Sequence, residues 1–495
     1  MSGQTKHRKT APRWLWAGGA LGAVALSAGA LLSACLGPRA PEGKILVEFW
    51  DFPRLPAVSE WLEEKIAEFE EQNPDVHVSF TRLSWGRGVE RLDIAAFANR
   101  PPDLAGATLQ LKYVEAGLLE PLDRYLDEEM PGGGGMTWRE DIHPEVLDAV
   151  QWEDETWAFP WYKEGFIILL NLDILEERGV SPPEDGTWDW DTFIDKMQRL
   201  TFDRTGDGQT DVYGIGFNTG REKWEAYPFL FGEGMELISE DGRTSLVNSE
   251  ATRRGIQRLL DMEFEYQVSL PGAGGITDDT TWTAFTGRDR RLAATCQGLW
   301  AINAVVVQNQ RLREAEEEAR RTGRPLGDLP EPVRVAVAHY PRMPGQEQIM
   351  GSYGIGSYMV FRRPHAPERT EAAARLARFL TLEAGQEINR EAGLLPSRIS
   401  KLHVLEDHPM FENILDYLPG AISPPAHPVW RQMDHVIGQQ LQLALLRRVG
   451  VDEAVTNMGE RTQMILDDYW HSRDAAEYAL TGRPDGEEAG EEPGQ

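Results

Sequence analysis

Residues 44–80 carry two short β-rich runs flanking one amphipathic helix, and this order limits the possible folds more than any other stretch. Lys44–Trp50 reads KILVEFW, a continuous apolar run with the composition of a buried strand. Val58, Trp61, Leu62, Ile66 and Phe69 then fall on one helical face, and Asn73-Pro74 stops the helix. Val76, Val78 and Phe80 alternate with polar residues, which predicts a second strand. Strand, helix and strand so close together form a βαβ unit, hence a parallel pair with a right-handed crossover. In open parallel sheets ligands sit beyond the carboxyl ends of the strands, which is where Trp50 and Asp51 fall.

Upstream, Lys6, Arg8, Lys9 and Arg13 precede an uncharged run from Trp14 to Ala34, the basic and apolar regions of an export signal. The run is nearly long enough to span a bilayer, but its Gly and Ala content makes it weakly hydrophobic for a permanent span. It ends on Leu32-Ser33-Ala34-Cys35, which resembles the lipobox of bacterial lipoproteins. That resemblance implies cleavage before Cys35 and diacylation of its thiol. Residues 1–35 are then signal and lipobox cysteine, and residues 36–43, with two Pro and two Gly, a linker. One acyl chain holds a protein to a membrane only weakly, so the two or three implied here matter for lasting attachment. The rest becomes a domain on the extracytoplasmic face of the cell membrane, on the periplasm side or the cell surface.

About 460 residues remain, too many for one compact core and enough for two lobes. The net charge is −30, and residues 1–34 hold four Lys/Arg and no acid, so the mature chain is near −34. Such a surface repels phosphate backbones and anionic headgroups, which argues against a nucleic-acid partner. The cysteines are Cys35 and Cys296; with Cys35 acylated no disulfide forms, and the apolar neighbours of Cys296 mark it as a small buried hydrophobe.

From Pro101 the chain reads PPDLAGATLQLKYVEAGLLEPLDRYL: an Asp, a short strand, a helix, then Gly-Leu-Leu-Glu-Pro-Leu-Asp. Thr156–Pro160, Ile167–Asp173, Thr187–Phe193, Phe285–Gly287 with Gly298-Leu299-Trp300, Gly351–Val360, Gly385-Gln386 and Leu395–Arg398 follow in order. Together they resemble the extracellular solute-binding proteins of bacterial ABC importers, in the carbohydrate-binding group that includes maltose-binding protein. Leu170 and Leu172 stand where that family usually has Tyr and Lys. The resemblance implies a two-lobed α/β periplasmic-binding-protein-like fold, each lobe a mainly parallel sheet flanked by helices with a hinge between. Lobe 1 is expected to hold residues 44–157 plus 352–403 and lobe 2 residues 158–351 plus 404–475, with an acidic disordered tail over 476–495. The PGGGG loop at Pro131–Gly135 and the charged run 311–332 read as decoration, the latter a solvated insertion.

The implied function is capture of a carbohydrate for ABC permease membrane subunits, by a monomer that is not an enzyme. Sugars need flat apolar faces for their C–H sides and polar groups for their hydroxyls, a combination that Trp-rich clefts supply. With 16 Trp, most must pack in cores. Trp300 matches the family's Gly-x-Trp in the cleft wall, and Trp430 its aromatic at a helix start. Trp224 stands near a third cleft aromatic; Trp50, Asp51, Gln110, Trp161, Tyr162 and Tyr353 follow by position. Asp203, Thr205, Asp207 and Asp211, with Gly208 at the sixth loop position, fit most of a calcium loop, but Gly214 replaces the bidentate Glu. That segment reads either as a structural calcium site or as a metal-free Asx-rich turn. No spacing supports zinc, a Gly-x-Ser-x-Gly elbow or a phosphate loop, and 80 acids make accidental carboxylate pairs inevitable. The rivals are the same fold binding a polyamine or other small solute, and a lipid-anchored glycoside hydrolase.

Overall fold

The computed structural model describes residues 39–85, 87–219, 223–323, 330–352, 354–406, 408, 410–411, 414–415 and 421–481. The expected signal segment with Cys35, Tyr353 and residues 482–495 lie outside them.

The opening unit forms as its pattern requires. β1 (Ile45–Asp51) and β2 (Val76–Arg82) pair in parallel, Ile45 opposite Val76 and Asp51 opposite Arg82. Between them α1 (Pro56–Gln72) buries Val58, Leu62, Ile66 and Phe69, each worth roughly 1.5–3 kcal/mol. Asn73 stops α1 by turning both its backbone N–H and its Nδ2 onto Phe69 O, each at 2.9 Å. After α2 (Gly88–Phe97), β3 (Leu104–Ala107) pairs in parallel with the other side of β1. Next come α3 (Leu111–Glu115) and a hairpin of β4 (Gln151–Trp152) and β5 (Glu155–Thr156). β6 (Phe159–Glu164) lies in this first sheet, and β7 (Phe166–Asn171) opens a second.

In the second lobe α4 (Trp190–Arg199) is capped by Asp189, whose carboxylate accepts the Thr192 N–H at 2.9 Å. That bond, first among the causes, holds the Asp189 carboxyl below its ordinary pKa. β8 (Tyr213–Gly216), α5 (Glu250–Phe264), α6 (Asp278–Thr286), β9 (Leu292–Gly298), α7 (Trp300–Thr322) and β10 (Val335–Ala338) follow. The chain then returns to the first lobe through β11 (Gly354–Val360), α8 (Pro367–Arg378) and β12 (Leu395–Pro396). It finishes on the second with α9 (Trp430–Leu445) and α10 (Val451–Thr481). The sheets run β12-β6-β11-β3-β1-β2 and β10-β7-β9-β8.

Both sheets are mixed. Only β2-β1-β3 and β8-β9 are parallel, because strands crossing from the other lobe enter at the cleft end. β11 is accordingly antiparallel to β3 and β6, and β7 antiparallel to β9 and β10. Two boundaries need correction. β6 belongs to the first sheet, so the first crossing is at Gly165, not before residue 158. α10 runs to Thr481, so the tail expected from 476 begins as helix. The charged run from residue 311 is helical, continuing α7 as far as Thr322.

Every side chain of β7 is buried: Phe166, Ile168 and Leu170 join a cluster with Phe229 and Met433, while Ile167 and Leu169 join Leu292 and Ile302 on the opposite face. The first lobe has its own core around Phe49, Phe159 and Tyr358. Cys296 is buried and free, and burial pushes its thiol well above the ordinary range. Among the described residues no helix is long and apolar enough to cross a membrane.

Candidate functional site

The carboxyl ends of β1, β3 and β6 face those of β8 and β9 across the crossing strands. β9 ends at Gly298, and Trp300 opens α7 two residues later, as a partly buried ring 5.5 Å from Trp282. Only glycine fits at 298: a Cβ would lie 2.6 Å from both Glu164 Oε1 and Trp300 Cδ1. A carboxylate from the first lobe's β6 and an indole from the second lobe therefore meet at one point. The Trp300 ring lines a cavity of about 420 Å³ that Leu55 and Pro56 of the first lobe also line.

The other expected residues divide. Gln110 bridges the lobes: its Oε1 accepts from Arg431 Nη1 at 3.4 Å, while its Nε2 donates to Thr108 O at 3.0 Å. Tyr162 lies within β6, its ring packed onto Gly356 and partly buried. Asp51 is corrected from ligand acceptor to internal support, because it is 0 % exposed. It accepts from Phe52 N at 2.8 Å, Tyr358 Oη at 3.0 Å and Arg54 Nη1 at 2.5 Å. Gly106 leaves room for this carboxylate, since a Cβ there would come within 2.1 Å of Asp51 Oδ1. Burial, with Asp51 next, raises the Tyr358 pKa well above its ordinary value.

Trp161 is corrected in the same way. It is 1 % exposed, its Nε1 donates to Gly385 O at 2.6 Å, and its ring stacks on Trp61 at 5.6 Å beneath the Arg54 guanidinium. Trp50 packs against the first lobe's core with Arg91 of α2 4.5 Å over its ring, so it is covered by the helix layer. Trp224 and Trp430 are 6 % and 8 % exposed and meet edge-to-face at 5.9 Å inside the second lobe's core, which leaves them packing rather than offering open faces. At the calcium-like loop, Asp203 accepts the N–H groups of Gly206 and Gly208, both at 2.6 Å, and Asp211 those of Arg204 and Thr205. This is the geometry of an Asx-rich turn, and backbone hydrogen bonds hold both carboxyls below their ordinary pKa. Among the described residues no three acids, His or Cys gather as a metal site.

Sequence reasoning missed Arg54 and Trp85, as well as the Lys223–Asp434 ion pair, 2.8 Å long and joined by Tyr227 Oη at 2.9 Å. Trp85 is 54 % exposed in the loop after β2, stacked on Phe52 at 4.4 Å, with Nε1 donating to Pro53 O at 2.9 Å. An indole in the polar stretch RLSWGRG directly after a strand was the available signal. The lobes also touch away from this cleft. Tyr469 and Arg473 of α10 bond Glu115 and Glu153, and Asn303 Nδ2 donates to Arg390 O at 2.6 Å.

Two sheet-and-helix lobes, connected by crossing strands and facing each other over an aromatic and charged cleft, define a two-lobed binding protein. The match to the model of the bacterial extracellular solute-binding protein family covers residues 54–316, and this chain belongs to that family. A Brucella abortus binding protein is 21% identical over 418 residues, 82% of this chain and 90% of that one. Among solved structures, a Listeria monocytogenes ABC substrate-binding protein in complex with cycloalternan superposes with a TM-score of 0.68 at 17% identity, covering 86% of this chain and 99% of that one. The maltose/maltodextrin-binding domain of Bdellovibrio bacteriovorus bound to maltotriose gives 0.66 at 18%, covering 86% and 100%.

Proposed function

We propose that this protein is the lipid-anchored substrate-binding component of an ABC importer. It captures a carbohydrate, an oligosaccharide, between its lobes and delivers it to the permease subunits. Cys35 carries the anchor, on the extracytoplasmic face of the cell membrane. The observation that carries the reading is Trp300, a partly open indole at the carboxyl end of β9, set against Glu164 of the other lobe. An indole face takes the C–H side of a pyranose while a carboxylate accepts hydroxyl hydrogens. Sugars bound by the Listeria and Bdellovibrio proteins support the same class of ligand. Closure is favoured only by contacts made with both lobes at once, which Trp300 and Glu164 provide together.

Tryptophan fluorescence of the purified protein, screened against maltooligosaccharides, other sugars, spermidine and amino acids, with product analysis on each responder, tests this. A saturable shift with a sugar and no product is expected. A response to spermidine alone transfers the fold to a cationic ligand, and cleavage makes the protein a hydrolase.

A further inference from the structure

The cavity at Trp300 does not end where the family-like indole does. α7 runs on for 23 residues, and its Ala304, Val307, Leu312 and Ala315 continue the same wall. At about 1.5 Å per residue, the wall from Trp300 to Ala315 is roughly 22 Å long. Leu55 and Pro56, at the start of α1, face it from the first lobe. Among the described residues, the polar side chains on this wall, besides the indole N–H groups, are Gln308 and Arg311, and Gln308 Nε2 already points to Thr286 O at 3.5 Å. A sugar placed here would find few groups on the wall to receive its hydroxyls, whereas an apolar group gains by covering the apolar side chains.

We propose that the extended face of α7 is a subsite for an apolar substituent carried by the sugar ligand, such as an aryl or alkyl aglycone. This rests on the reading of the cleft as a carbohydrate site. The ligand class is thus an amphiphilic glycoside: its sugar portion lies at Trp300 and Glu164, and its apolar end between Val307, Leu312 and Leu55. The two walls come from different lobes, so the apolar end adds contact only when the lobes approach, and it tightens binding by favouring the closed arrangement. The cavity's size suits a small molecule rather than a protein segment.

Calorimetric titration of the full-length protein with maltotriose and with 4-nitrophenyl maltotrioside tests the subsite, in wild type and in Val307→Asp and Leu312→Gln. The aryl glycoside is expected to bind at least tenfold tighter than maltotriose. Either substitution should remove that advantage while leaving the maltotriose affinity within about twofold, a readout that simple misfolding would not give. Equal affinity for the two ligands, or an aryl advantage that survives both substitutions, overturns the subsite and leaves the carbohydrate reading standing. Binding of neither ligand overturns both.

Discussion

Trp300 follows the carboxyl end of β9 and Trp161 lies within β6, yet one indole lines a cavity and the other is sealed in a core. What separates them is remote in sequence: Gly385 O caps the Trp161 N–H and Arg54 covers its ring, while Trp300, with Trp282 beside it, still lines the cavity next to Gly298 and Glu164. No local pattern predicts such a partner, so Asp51 was readable as a sheet-end residue and Trp161 as one near a crossing strand, but neither as a support. Trp300→Ala is expected to weaken sugar binding by tenfold or more, about 1.4 kcal/mol, with little change in melting temperature. Asp51→Ala should act on folding instead. It leaves the Arg54 guanidinium buried without its carboxylate, at a cost of about 3–5 kcal/mol in urea unfolding. A loss below about 1 kcal/mol would show that Arg54 finds water or another partner. Asp103 was legible as the acid before a short strand. Its role follows from the fold, since it accepts from Glu48 N, Arg363 and Arg369 and so ties β1 and β3 to the α8 side of the sheet.

At the scale of elements, α1 and α4 were legible because an apolar stripe and a stop or cap residue are local properties. Strand direction was not: an apolar run looks the same whether the chain enters from its own lobe or crosses from the other, so the antiparallel β7 and β11 were hidden. Nor was the role of α10. Its Tyr469, Trp470 and Arg473 surround His427, whose ring lies 6.2 Å from Trp152 of the first lobe and 5.0 Å from Tyr469. Desolvation lowers the His427 pKa to about 4; Gly242 O opposes the shift, while the Arg473 charge adds to it. A depressed folded-state pKa contributes stability above the unfolded value near 6.5, and that stability is lost as pH falls towards about 4. Urea unfolding at pH 7 and pH 4.5 should therefore show a His427-dependent loss of roughly 1–3 kcal/mol. His427→Phe should lose correspondingly less on acidification; an unchanged loss would assign the acid sensitivity to other groups.

For the molecule as a whole, length and the order of weak motifs announced two lobes, because each motif marks a strand or turn whose place in the chain is fixed by the crossings. Gly385-Gln386 is an example: Gln386 Nε2 bonds Trp161 O, Thr381 O and Ser397 Oγ, pinning β6 to the segment that returns through β12. The cleft itself was less legible, because its walls come from segments as far apart as Glu164, Trp300 and Arg431. The most direct test of the central claim is calorimetric titration of a maltooligosaccharide series into the full-length protein, with Trp300→Ala alongside. Saturable heat at one sugar per chain, lost or tenfold weaker in Trp300→Ala, is the predicted result. Heat from spermidine with none from any sugar, or equal sugar binding by the two proteins, would contradict it.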